Sequence, residues 1–233
     1  MRRKASPPGG IGLRDAVCRV GPQAAPGSCL VWRVTHFDLA IIGTGSGNSL
    51  VTPDFDGKRV AIIESGTFGG TCINVGCIPT KMYVYAADVA NTITHAARYG
   101  IDATLDGVRW TDIRDRVFGR IDPISESGKD YRVNGPNTTA FLGHATFTGP
   151  KTLRIDSGID SGIDTGEEVT ADQIVIATGA RPTVPEVVRE SGVRFHTSDT
   201  VMRLETLPKR LVILGSGFIA AEFAHVFLSL IHI

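Results

Sequence analysis

The stretch HFDLAIIGTGSGNSL, His36 to Leu50, runs from apolar residues of strand character directly into a cluster of glycines. RVAIIES, Arg59 to Ser65, is a second apolar run, and it closes on Glu64. Strand, glycine turn, helix, strand and a terminal acid about 20 residues on make up the dinucleotide-binding fingerprint. Gly43 and Gly45 let the backbone turn tightly and approach a pyrophosphate, a helix N-terminus offers N–H groups to its charge, and the acid accepts hydrogen bonds from ribose hydroxyls. The third position is Asn48, which predicts looser packing of helix on sheet. A strand-turn-helix without a ligand, with Glu64 as a solvated strand end, is the plainer alternative.

Just beyond lies GGTCINVGCIPTK, Gly69 to Lys81, with Cys72 and Cys77 five residues apart at the entry to a helix. In an ideal helix that spacing separates the Cα atoms by about 8.6 Å, whereas a disulfide needs roughly 4.4 to 6.8 Å. A bond between them therefore requires an irregular first turn. Gly69 and Gly70 loosen the approach, Gly76 allows a bend between the cysteines, and Pro79 opposes a regular helix upstream of itself. Such a disulfide is local and reducible, which suits electron transfer better than stapling. Two buried free cysteines, or half of a zinc site, are the structural alternatives. No second close pair exists, because Cys18 and Cys29 lie far upstream, and no metal site is expected.

RLVILGSGFIAAEFAHVF, Arg210 to Phe227, repeats the strand-turn-helix pattern with Gly215, Gly217 and Ala220. Between the two copies, ADQIVIATGARP reads as a strand closing on the small residues Ala177, Thr178 and Gly179, an end that lets backbone come near a cofactor.

With these motifs in this order, from about His36 to Phe227, the chain resembles the flavin-dependent pyridine nucleotide disulfide reductases. Within them it most closely resembles the mycothione reductases, on the stretches GTGSGNS, GGTCINVGCIPTKMYVYAADVA and FHTSDTVMRLETLPKRLVILGSGFIAAEFAHVF. The resemblance implies FAD and NAD(P)H as cofactors, with hydride passing through the flavin to a Cys72–Cys77 disulfide and on to a low-molecular-weight disulfide such as mycothione. It gives Cys72 the interchange role and Cys77 the flavin-facing thiolate. Lys81 matches the lysine near the flavin N5, and Glu222 the acid that pairs with it, as befits charges that would be costly if buried alone. Phe218 matches the gate over the nicotinamide side, with Ile219 beside it. Ser46, Gly70 and Thr71 fall where backbone and hydroxyl groups meet the flavin phosphates, and Ala145 where main chain touches adenine. A dihydrolipoamide dehydrogenase and a non-catalytic flavin-binding fragment remain open as other readings.

Composition suits an enzyme of this kind: 233 residues, 42% hydrophobic, with 24 basic and 24 acidic side chains. Neutrality argues against a nucleic-acid partner, and no apolar run approaches the roughly 18 residues of a membrane span. One close cysteine pair among four cysteines fits a reducing cytoplasm.

The expected architecture is α/β: a Rossmann-like FAD-binding domain over residues 36–185 with a small antiparallel meander, then the start of a second Rossmann-like NAD(P)-binding domain over 186–233. Residues 1–35 carry six Lys or Arg against the single acid Asp15 and read as a disordered or non-native extension. TTAFLGHATFTGPKTLRID and EEVTADQIVIATG suggest the meander, lengthened by the tandem SGIDSGID, Ser157 to Asp164. The cysteine helix is expected to run as far as Tyr99. Trp110, Ile113, Val117 and Ile121 recur at helical spacing as a core-facing stripe. The end LSLIHI departs from the family, whose remaining NAD(P) fold, catalytic histidine and dimerisation domain would lie further on. None of the six histidines matches that base, and the chain on its own is expected to lack turnover and the family's homodimer.

Overall fold

The computed structural model describes residues 16–19, 30–156 and 167–231. In chain order the strands are β1 (Ala16–Arg19), β2 (Leu30–Ile42) and β3 (Val60–Glu64), followed by helices α1 (Gly70–Asn74), α2 (Cys77–Thr94) and α3 (Trp110–Val133). Strands β4 (Thr138–Leu142), β5 (His144–Gly149), β6 (Thr152–Asp156) and β7 (Glu167–Ile176) come next. Helices α4 (Glu186–Glu190), α5 (Ser198–Val201) and α6 (Phe218–Ile231) complete the order.

The main sheet runs β4-β3-β2-β7-β6-β5. Its first four strands are mutually parallel, and β7, β6 and β5 continue as an antiparallel meander. Strands β2 and β3 read as continuous apolar runs because both of their faces are covered, as parallel strands require. Leu39, Ile41, Val60 and Ile62 form one buried cluster with Val51, Phe55 and Val175 around it. Their neighbours Ala40, Ala61 and Ile63 join a second cluster with Phe37, Leu153, Ile155, Val169 and Ala171.

A third core is helical. Tyr83 and Ala87 of α2, Trp110, Val117 and Ile121 of α3, Met202 after α5, and Phe223, Val226, Phe227 and Leu230 of α6 are buried together. The predicted stripe on α3 is thus the core face, with Ile113 half-buried beside it. Tyr83 stacks on Trp110 at 5.2 Å between ring centres, and Trp110 meets Phe227 at 5.8 Å.

Five expectations change. The glycine turn leads not into an α-helix but into two short 3-10 turns, Ser46–Leu50 and Pro53–Phe55, since Pro53 lacks the donor that would continue a helix. TTAFL is β4, a parallel partner of β3 rather than part of the meander, which begins at His144. The alternation of TTAFL suits either place, and its pairing with Val60–Glu64 decides it. Helix α2 ends at Thr94, and Ala96–Tyr99 is a separate 3-10 turn. Residues 210–216 form no strand, and Val212 is 92% exposed. Among the described residues nothing pairs with that backbone, and a strand needs a ladder partner. Within the N-terminal 35 residues, Ala16–Arg19 pairs antiparallel with Leu30–Arg33. The SGIDSGID repeat, residues 157–164, and most of the N-terminal extension lie outside the described residues.

Segment 201–207 is tied to the helical core by two buried donors: the Tyr83 hydroxyl to the Met202 carbonyl at 2.6 Å, and the Trp110 indole N–H to the Leu204 carbonyl at 2.7 Å. Tyr83→Phe leaves the Met202 carbonyl without its donor and should lower the unfolding free energy by about 1–3 kcal/mol. A denaturant titration with an unchanged midpoint would show that this bond does not hold the segment.

Candidate functional site

The site grows from the meeting of two glycine-rich turns. Gly43 has φ 108°, and a Cβ there would lie 2.2 Å from the Ala177 carbonyl oxygen at the end of β7. Gly70 has φ 68°, and its Cβ would fall 2.5 Å from the Gly45 Cα. Side chains are therefore barred at the places where the β2 turn, the β7 end and the start of α1 converge. A Cβ on Gly47 would sit 2.4 Å from the Ala177 Cβ, which closes the same cradle from a third side.

Glu64 binds this cradle together. Its Oε2 accepts from the Thr44 amide at 3.0 Å and the Thr44 hydroxyl at 2.6 Å, and its Oε1 accepts from the Gly66 amide at 2.9 Å. The Thr44 oxygen in turn accepts from the Gly69 amide at 3.2 Å, which links strand end, first turn and cysteine loop. Three of the roughly four acceptor positions of the carboxylate are in use. Glu64 is thus an internal anchor and not merely a solvated strand end.

Cys72 lies in α1 and Cys77 opens α2, and the expected irregularity falls between them. The helix breaks at Val75 and Gly76, where a Cβ on Gly76 would come 2.8 Å from the Thr71 carbonyl oxygen. Both cysteines are exposed free thiols. The Cys77 side chain beside it, and then partial burial, push the Cys72 thiol above its ordinary pKa, against the smaller opposing effect of the Cys77 and Ile78 amides. The loop is held by neutral donors. Asn74, buried, gives its amide to the Phe68 carbonyl at 2.8 Å and the Gly70 carbonyl at 3.1 Å, and the buried Ser125 hydroxyl reaches the Phe68 carbonyl at 2.6 Å.

One turn along α2, the Lys81 ammonium pairs with the Glu222 carboxylate of α6. Their side chains are 64% and 31% exposed, so this pair does not meet the expectation of buried charges that demand a partner. Gly179, φ 72°, lies over the Thr71 hydroxyl, with its Cβ direction 4.0 Å from that oxygen, so the β7 end and α1 share one side of the cradle. Ser46 and Thr178 are exposed at its rim. Ala145 stands apart in β5, opposite Ile155 of the meander. Gly215, Gly217, Phe218 and Ile219 are not gathered into it: Phe218 is 79% exposed, and only Glu222 of that group reaches the first site.

Sequence reasoning passed over Thr44, Asn74, Ser125 and Arg132. Thr44 and Asn74 sit inside motifs already singled out, and a short polar side chain between glycines or cysteines is a usual loop organiser. Ser125 and Arg132 lie on α3, 57 and 84 residues from their partners, and no local pattern marks them.

The family model for pyridine nucleotide-disulphide oxidoreductases matches residues 37–232. Mycothione reductase of Mycobacterium tuberculosis (strain ATCC 25618 / H37Rv) is 60% identical over 194 residues, which cover 83% of this chain and 42% of that protein. Glutathione reductase of Burkholderia cepacia is 34% identical over 196 residues, covering 82% of this chain and 40% of that one. The solved structure of the HOCl-induced flavoprotein disulfide reductase RclA from Escherichia coli, a Cu(II) complex, matches with a TM-score of 0.69 and 30% identity over 84% of this chain and 41% of that one. The chain thus spans well under half the length of these relatives. It belongs to the pyridine nucleotide-disulphide oxidoreductases, a family that uses FAD and NAD(P)H.

Proposed function

We propose that this chain is the flavin-binding, dithiol-bearing part of a cytoplasmic disulfide reductase that reduces mycothione with NAD(P)H. The observation that carries this reading is the contact of Gly70 with Gly45, which places the start of the cysteine loop directly on the dinucleotide turn. Glycines that bring three backbone segments together at the strand ends suit a pyrophosphate, which needs close approach of main-chain N–H groups, so FAD fits the residues present. Residues 36–185 would hold it, and 186–233 would begin the NAD(P)-binding domain. The 60% identity to mycothione reductase supports the choice of substrate.

When bound, FAD supplies the relay of two electrons between NAD(P)H and sulfur. The chain's own part is thiol chemistry. The Cys72 thiolate attacks one sulfur of the substrate disulfide, forming a mixed disulfide and releasing the first thiol once it takes up a proton. The Cys77 thiolate then attacks Cys72, releasing the second thiol and closing the Cys72–Cys77 disulfide, which two electrons reopen. Lys81, with Glu222, would set the charge felt by the bound flavin. Ser46, Gly70 and Thr71 would face the phosphates, Glu64 a ribose and Ala145 the adenine, with Ala177, Thr178 and Gly179 closing over the cofactor. Gly215, Gly217, Phe218 and Ile219 would serve NAD(P)H, and the working enzyme would be a homodimer.

Three measurements test this. Loaded with FAD, Cys72→Ser should keep a long-wavelength thiolate-to-flavin band and Cys77→Ser should lose it. Equal loss in both defeats the division of roles, and a flavin without any such band favours a binding module. Gly45→Val should abolish FAD retention while the far-UV spectrum stays native, because the γ-methyls of valine would reach beyond a Cβ that already stands 3.5 Å from the Gly70 Cα and would cover the main chain that must meet the pyrophosphate. Normal retention would make the first fingerprint purely structural. Finally, since Cys77 is the main cause of the raised Cys72 pKa, Cys77→Ala should move the midpoint of Cys72 alkylation to lower pH. An upward shift would reverse the assigned coupling.

A further inference from the structure

We propose that Arg132 is a positioning residue for the dinucleotide turn, acting through Asn48 to fix the Gly43 carbonyl where a fingerprint glycine would otherwise seat a helix on the sheet. The proposal deepens the flavin-site reading and rests on it.

Asn48 is buried, and its two amide atoms do different work. Nδ2 donates to the Gly43 carbonyl at 2.7 Å, and Oδ1 accepts from the Arg132 Nε–H at 2.6 Å. A guanidinium only donates, so Oδ1 must face it and Nδ2 is left for the carbonyl. Flipped, the amide would set Oδ1 against the Gly43 oxygen and its own N–H against a cation. Arg132 therefore selects the one orientation in which Asn48 can hold the turn.

Arg132 is itself held. Its Nη1 donates to the Gly128 carbonyl at 2.7 Å, and its main-chain oxygen accepts from the Thr138 hydroxyl at 2.8 Å, which anchors the end of α3 to the start of β4. Burial lowers its pKa, yet a guanidinium starts so high that it stays charged. Its bond to Asn48 is charge-assisted and about twice as strong as a neutral one.

The turn needs this outside support. Gly43 has no side chain and no room for one, and the 3-10 turn Ser46–Leu50 is too short to offer the packing of a full helix. Glu64 fixes the turn at Thr44, on one side only. The Arg132–Asn48 relay fixes it on the other, at the carbonyl of the residue before.

The test is FAD affinity by flavin fluorescence quenching in the full chain, together with amide exchange in the flavin-free protein. Arg132→Met and Asn48→Ala should each weaken FAD binding about tenfold or more, and the double variant should be little weaker than either single one. Arg132→Gln, whose amide nitrogen can stand at the Nε position but carries no charge and brings an acceptor oxygen with it, should recover part of the loss. If Arg132→Met fails to fold, Arg132→Lys takes its place, because it keeps the charge but has carbon at that position.

Unchanged affinity in Arg132→Met, losses that multiply in the double variant, or a Gln variant no better than Met would each overturn the relay. The last outcome would assign Arg132 a direct charge effect. Exchange of the main-chain N–H of residue 48, which bonds the Gly45 carbonyl at 3.1 Å, should quicken in Arg132→Met and Asn48→Ala and less so in Arg132→Gln. A wild-type chain that binds no FAD overturns the flavin reading instead, and this exchange pattern then decides the relay on its own.

Discussion

The approach of Gly70 to Gly45 is the constraint on which the site depends. A Cβ on Gly70 would lie 2.5 Å from the Gly45 Cα, nearer than two non-bonded carbons can come. The missing side chain of Gly70 therefore lets a sheet turn and a helix start touch by backbone, while a Cβ on Gly45 would stand 3.5 Å from the Gly70 Cα. Both cysteines follow within seven residues of that contact, so their position relative to the turn is inherited from it. The hydrogen bonds from Gly69 to Thr44 and from Thr44 to Glu64 run alongside and keep the two turns in register. With Thr44 only 1% exposed, that chain is shielded from competing water.

Helix α2 then carries the site into the helical core. Its first turn bears Cys77, while Tyr83 and Ala87 further along are among the most buried residues of the helical cluster. The same helix meets α6 through Lys81 with Glu222 and through Asp88 with His225. The aromatic ladder of Tyr83, Trp110, Phe227 and Phe223 gives α6 its place without any strand from residues 210–216. Helix α2 thus carries the dithiol at one end and the helical core along its length, while α3 reaches the sheet and its glycine turn through Thr138 and Asn48.

What could be read from the chain beforehand was whatever is encoded locally. The glycine spacing at 43 and 45, the acid at 64, the bend implied by Gly76 between two cysteines and the α3 stripe all rest on steric or periodic rules that act within a few residues. The misplacements share one cause. TTAFL and LVIL carry strand patterns, but a strand is defined by its partner, and only the fold shows that the first finds β3 and the second finds none among the described residues. The helix expected after the glycines yielded to Pro53, a local signal outweighed by the pull of the fingerprint. Arg132 and Ser125 were out of reach altogether, since their partners lie 84 and 57 residues away.

Magnitudes separate what shapes this site from what tunes it. Lys81 and Glu222 form an exposed pair, and exposed pairs contribute about 0–1 kcal/mol. Asn74, Ser125 and Asn48 are buried, and losing the partner of a buried polar group costs about 1–3 kcal/mol each. Neutral buried donors therefore hold the cysteine loop, the carboxylate of Glu64 and the guanidinium of Arg132 hold the turn through Thr44 and Asn48, and the exposed Lys81–Glu222 pair plays little part in that geometry. A weakly committed ammonium can follow a change of charge in a neighbouring group at small structural cost. That division suits redox chemistry, in which the framework must stay put while charge beside it changes.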